Sequence, residues 1–153
     1  MQVDDFAEIS VCKIKQLNEG GEGICILRNP ACIVLLHMTV NDVKNILDAK
    51  IWCCEHKLDA EVHSACGSDM MSDVLAFVKD QSVLLSGLVN PQVIRTAEMM
   101  DILCVIFVRG KEPNETILEL AREKDICIMT TPRRMFTACG LLYENGLRGG
   151  GNA

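Results

Sequence analysis

The chain has 153 residues, the size of one ordinary domain. Apolar residues make up 49% and charged residues 24%, which excludes a disordered chain and a fibre. With 15 basic residues against 21 acidic ones and only 4% aromatics, it lacks the basic excess that grips a phosphate backbone and the rings that stack bases, so no nucleic-acid partner is expected.

In chain order, Ile24–Leu27 and Ala31–Leu36 flank Arg28-Asn29-Pro30 and read as a hairpin. Residues 1–37 form an accessory segment by this reading, either a strand pair or a start-site artefact. Thr39 is placed to cap a helix running through Leu47, with Val40, Val43, Ile46 and Leu47 on its inner face. Ile51–Cys54 and Ala60–Ser64 read as short strands, and Ser68–Val78 as a helix. Ser82–Ser86 is an apolar strand. A helix then starts at Pro91 with Val93, Ala97 and Met100 in register. Leu103–Val108 is β-branched and wholly apolar, as in a strand buried on both faces of a parallel sheet. A helix over Asn114–Lys124, a strand over Ile126–Thr130 and a helix carrying Met135, Phe136, Cys139, Leu142 and Tyr143 follow, with Gly146 as its C-terminal cap. The alternation predicts an α/β fold: a single three-layer domain over 38–146, its mostly parallel sheet flanked by helices, with residues 147–153 as a disordered tail.

From Met38 onward the chain resembles the stand-alone DRTGG-domain proteins of bacteria and archaea. The resemblance rests on Met38-Thr-Val-Asn-Asp-Val43, Leu58-Asp-Ala-Glu-Val62, Gly67-Ser-Asp-Met-Met-Ser-Asp-Val74, the Gly110-Lys-Glu-Pro113 loop, and Ile126–Pro132 followed by a helix with Phe136 and Ala138. Domains of this kind are attached to a phosphate acetyltransferase and to CBS-domain inorganic pyrophosphatases, and a relative lies at the N-terminus of HPr kinase. The resemblance therefore implies a non-catalytic part in assembly and regulation. Stand-alone members often lie near iron-hydrogenase genes, which implies an accessory role. The Asp-Arg-Thr-Gly-Gly string that names the family is absent, and the glycine pairs common in relatives are replaced near His63-Ser64-Ala65.

The chemistry legible in the chain is sparse. No Gly-x-Ser-x-Gly elbow and no Gly-x-x-x-x-Gly-Lys-Ser/Thr loop occurs, and His37, His56 and His63 all precede the regular α/β part, so no enzyme is expected. Cys53, Cys54, His56, His63 and Cys66 form a cluster of soft and borderline metal donors. Their spacing matches no known site, so no cofactor or metal is expected. A metal- or redox-responsive accessory protein using that cluster is the alternative reading. Asp69 and Asp73, four apart, read as first-turn acids that complement a helix dipole, against a cation site.

Ligands of open α/β sheets collect beyond the C-terminal ends of parallel strands. The residues placed there are Ser86, Gly87 and Asn90, then Arg109 and Gly110, then Thr130, Thr131 and Arg133, a set suited to a phosphate or a carboxylate. One member of each doublet, Met70-Met71 and Met99-Met100, should lie at the margin, where Met suits a subunit contact. The expected function is a non-catalytic regulatory module that forms homo-oligomers and senses a small anionic metabolite or nucleotide. Ala31–Leu36 and Ile102–Val108, the longest apolar runs, cannot cross a bilayer, which needs about 20 residues. Met1–Ser10 holds three acids and no basic residue, unlike a secretory signal. The nine cysteines, an odd number set mostly in apolar runs, suit a reducing compartment; a cytoplasmic protein is expected.

Overall fold

The computed structural model describes residues 37–78 and 82–150. The hairpin expected within residues 1–36 lies outside them.

The chain order is β1 (Met38–Thr39), α1 (Val40–Leu47), β2 (Lys50–Cys53), a 3-10 turn (Glu55–Lys57), β3 (Glu61–Val62), β4 (Ser64–Gly67), α2 (Met71–Phe77), β5 (Ser82–Ser86), α3 (Pro91–Met99), β6 (Cys104–Phe107), α4 (Glu115–Glu123), β7 (Cys127–Thr130) and α5 (Met135–Glu144). β1 and β3 pair antiparallel as a separate ribbon, while the main sheet has the order β2-β7-β6-β5-β4. β4 to β7 are parallel and β2 is antiparallel on the β7 edge.

Because the parallel strands follow chain order without reversal, the crossover helices α2, α3 and α4 all fall on one face. There Val74, Val93, Ile94, Ile117 and Ala121 meet Leu84, Val105, Phe107 and Ile128. The opposite pleat carries Val83, Leu85, Ile106 and Met129 against Val40, Val43 and Leu47 of α1 and Ala138 and Leu142 of α5. This is the three-layer α/β arrangement expected from the alternation. Two-sided burial explains why β5 and β6 read as unbroken apolar runs.

Three boundaries depart from the sequence reading. Ala60–Ser64 divides: Glu61–Val62 pairs with β1, and Ser64 begins β4, a sheet strand running to Gly67. The helix expected from Ser68 starts at Met71, because Ser68-Asp69-Met70 form a turn in which the Met70 N–H donates to Ser68 Oγ (3.0 Å). Asp69 therefore does not share a helical face with Asp73. The first residues of the segment read as a tail are held. Leu147 is buried, and the Arg148 carbonyl accepts from the Ala65 N–H (2.9 Å) along the outer edge of β4.

The helix ends share one device. In α1, α3, α4 and α5 a left-handed residue (Asp48, Asp101, Asp125 and Gly146) is followed by an N–H that reaches back five residues: Ala49 to Lys44, Ile102 to Ala97, Ile126 to Ala121 and Leu147 to Leu142. Gly146 fills this place without strain, as its capping role predicts. An aspartate there holds a disfavoured φ and sets negative charge at the negative end of the helix dipole. Asp101→Gly is expected to raise stability by about 0.5 kcal/mol, near 2 °C in Tm, once the extra chain entropy of glycine is set against the relief. A Tm that stays or falls in thermal denaturation would show that Asp101 carries no such strain.

Candidate anion-binding site

The parallel strands end on one edge of the sheet, and the loops after β4, β5 and β6 converge there. Ser86 closes β5 and is fully buried. Its hydroxyl donates to Asp69 Oδ1 (3.2 Å) and accepts from the Leu88 N–H (3.1 Å). The Gly87 N–H donates to the same carboxylate oxygen. After β6 the chain turns sharply: Arg109 and Gly110 both sit at φ 65°, and the Lys111 N–H closes the turn on the Val108 carbonyl (3.4 Å). That turn directs the Arg109 guanidinium over Gly87 and toward Asp69 Oδ2 (Nη2 at 3.4 Å). A Cβ built on Gly87 would lie 1.6 Å from Arg109 Nη2, so the missing side chain is the space the guanidinium occupies. Lys111 Nζ donates to the Gly87 carbonyl, adding a second positive charge to the loop.

Of the residues expected to bind a ligand, Ser86, Gly87 and Arg109 are therefore brought together around one carboxylate. The others are placed as follows. Asn90 caps α3, its side chain accepting from the Val93 N–H (3.3 Å). The Gly110 N–H donates to the Thr131 carbonyl (2.9 Å), joining the β6 and β7 loops. Thr130 Oγ1 is buried between Trp52 Nε1, which donates to it (2.9 Å), and the Lys111 carbonyl, to which it donates (3.1 Å). Thr131 Oγ1 is buried and donates to the Leu47 carbonyl (2.6 Å). Arg133 is exposed, and its carbonyl accepts from the Arg109 N–H (2.8 Å). Sequence reading missed Asp69 and Lys111 as members of the site. Nothing local marks either, since their partners lie on other loops.

The Cys/His set is dispersed in its bonding. His56 Nε2 lies 2.6 Å from Asp125, while His63 Nε2 (3.6 Å) and His37 Nδ1 (3.0 Å) flank Glu61. Hydrogen bonds from Lys57 first and then His56 hold the Asp125 carboxyl below the usual range. Burial, reinforced by the neighbouring Cys54, pushes the Cys53 thiol up to about 12, and burial likewise raises Cys54 and Cys66. Without a bound cation such thiols stay protonated at neutral pH. Among the described residues no group of three His, Cys, Asp or Glu side chains is arranged to hold a metal ion.

A concavity of about 150 Å³ lies between α5 and the β4 edge, lined by Ala65, Gly67, Leu85, Cys139, Tyr143 and Arg148 among others. Arg148 is spent there: its guanidinium stacks over the Tyr143 ring (3.8 Å) and donates to the Tyr143 carbonyl (3.1 Å). No helix among the described residues is long and apolar enough to cross a membrane.

Comparison with known proteins agrees with this architecture. The structure resembles the CBS and DRTGG domains of the regulatory region of Clostridium perfringens pyrophosphatase, crystallised with the activator diadenosine tetraphosphate. The TM-score is 0.57 and the identity 20%, over 68% of this chain, which spans 45% of the length of that one. At that identity the likeness is one of fold. No curated protein matches the chain. Residues 42–144, from inside α1 to the end of α5, match the DRTGG domain, and the chain belongs to the DRTGG-domain family.

Proposed function

We propose that the chain is a non-catalytic regulatory module of the cytoplasm that self-associates and senses a small phosphorylated metabolite or nucleotide at the C-terminal edge of its parallel strands. The observation that carries the reading is the convergence of the Ser86 hydroxyl, the Gly87 N–H and the Arg109 guanidinium on a single carboxylate, with the Lys111 ammonium on the adjoining carbonyl. Donors gathered in this way serve a phosphoryl or carboxylate group of a ligand equally well. The similar structure is part of a regulatory region and was crystallised with a dinucleoside polyphosphate activator, which supports the same class of ligand.

Self-association rests on α5. Phe136 is 90% exposed and Tyr143 60% exposed, and both share a helical face with Gly140, whose missing side chain leaves open space. A helical face that leaves Phe136 this exposed among the described residues suits a second copy of the chain. The Met doublets split as expected: Met71 is buried and Met70 exposed, Met99 is exposed and Met100 half-buried.

Native mass spectrometry of the full chain, with and without ATP and inorganic pyrophosphate, tests both parts. The expected result is a dimer or larger assembly that retains the phosphate compound, with Phe136→Glu giving a monomer. A monomer for the unaltered chain removes self-association. Failure to retain or titrate with either compound removes the sensing role.

A further inference from the structure

We infer that the Asp69 carboxylate is a tethered stand-in for the ligand: it fills the oxyanion site of Ser86, Gly87 and Arg109, and a phosphoryl group binds by displacing it. The inference rests on the reading of this edge as an anion site and adds how that site is kept closed.

Each donor is aimed before any ligand arrives. The Ser86 oxygen accepts from the Leu88 N–H, which leaves its one proton free to point at Asp69. The β5 ladder ends at Ser86, paired with Phe107, so the Gly87 N–H has left the sheet and needs an acceptor that the sheet does not supply. Arg109 is set by two successive left-handed residues and by the bare Cα of Gly87. A non-glycine residue held at φ 65° is strained, and of the five described non-glycine residues with positive φ it is Arg109 that closes the site.

The occupant's link to Arg109, by contrast, is weak. Asp69 sits in the three-residue turn between β4 and α2, its side chain 53% exposed, and its contact with Arg109 is long at 3.4 Å. An exposed pair of this kind binds its partners only weakly. A phosphoryl group brings more oxygens and more charge than one carboxylate. With Asp69 withdrawn it meets the charges of Arg109 and Lys111 without a competing anion. The chemical class selected is a terminal phosphate or diphosphate. Asp69 immediately precedes Met70, the exposed residue at the entry to α2, so displacement frees the β4–α2 turn and couples site occupancy to that surface.

Calorimetric titration of inorganic pyrophosphate into the full chain, Asp69→Asn and Asp69→Ala tests this. A competitor that holds the site nine-tenths or more of the time lowers apparent affinity about tenfold or more, and both variants should recover that factor. Asp73→Asn, which removes one acid from the neighbouring helix without opening the site, should change affinity less than about threefold. Arg109→Met added to Asp69→Asn should abolish the gain. Equal or weaker binding by both Asp69 variants, or an equal gain from Asp73→Asn, overturns the stand-in role while leaving the anion site in place. Absence of binding by every form removes the anion site itself. The unaltered chain supplies a measurement that depends on no variant: the Gly87 amide resonance should move as pyrophosphate saturates. Saturation with that resonance unmoved overturns displacement.

Discussion

Gly87→Ala should weaken pyrophosphate binding about 10- to 100-fold while leaving the fold within about 1 kcal/mol of its original stability. A Cβ at Gly87 would lie 1.6 Å from Arg109 Nη2 and 2.7 Å from Cζ, distances no side chain tolerates, so the guanidinium must leave. It can do so cheaply, being the end of a flexible side chain that is 47% exposed, with open solvent to move into. The fold therefore survives, and the loss falls on the contact that Arg109 makes with an anion. A charge-assisted hydrogen bond of this sort contributes about 1.5–3 kcal/mol, which sets the expected factor. Arg109→Met should reproduce the loss. Because the two changes remove the same contact, the double variant should bind no worse than either single one. Calorimetry on the four proteins gives the cycle. Additive losses would mean that Gly87 acts apart from Arg109, and undiminished binding by Gly87→Ala would remove Arg109 from the site.

The contrast between Gly87 and its neighbours shows how far local patterns reach. β5 to β7 are legible because Val83-Leu84-Leu85, Val105-Ile106-Phe107 and Ile128-Met129 are apolar runs bounded by polar turns. The starts of α3 and α4 are legible because Asn90 and Asn114 are caps. β4 is hidden: Ser64-Ala-Cys-Gly67 has no β-branched residue, and its place in the sheet comes from pairing with β5 and from the Arg148 carbonyl. The ends of α1 at Leu47 and of α4 beside Lys124 are legible too, although aspartate, not glycine, occupies the left-handed position after each. Asp69 looks like a first-turn acid ahead of an apolar helix, and its actual partners are 17, 18 and 40 residues away. The edge location of Ser86, Gly87 and Arg109 follows from strand order alone, but which of the edge residues stay open depends on what covers β7.

Thr131 is where that cover matters most, and it separates structural from ligand-binding roles. Its hydroxyl sits at the end of β7, where a phosphate ligand would welcome it, yet α1 and β2 pack over that edge and bury it completely. Thr131 Oγ1 donates to the Leu47 carbonyl (2.6 Å) at the end of α1 and accepts from the Arg133 N–H (3.2 Å), tying the helix to the loop that supports Arg109. Thr131→Val keeps the shape and leaves both groups without this partner, at a cost of about 2 kcal/mol, or roughly 6 °C in Tm. Thr131→Ser keeps the hydroxyl and gives up one methyl group, about 0.8 kcal/mol. The serine variant should therefore be the more stable of the two. If packing governed the position, the order would reverse, because valine fills the site and serine does not. Binding supplies the second axis. Neither Thr131 variant should alter pyrophosphate affinity by more than about threefold in protein that is still folded, whereas Ser86→Ala, which removes one donor to the anion, should lower it by about tenfold. A large affinity loss from Thr131→Val without a fall in Tm would return Thr131 to the ligand site and move the site toward β7.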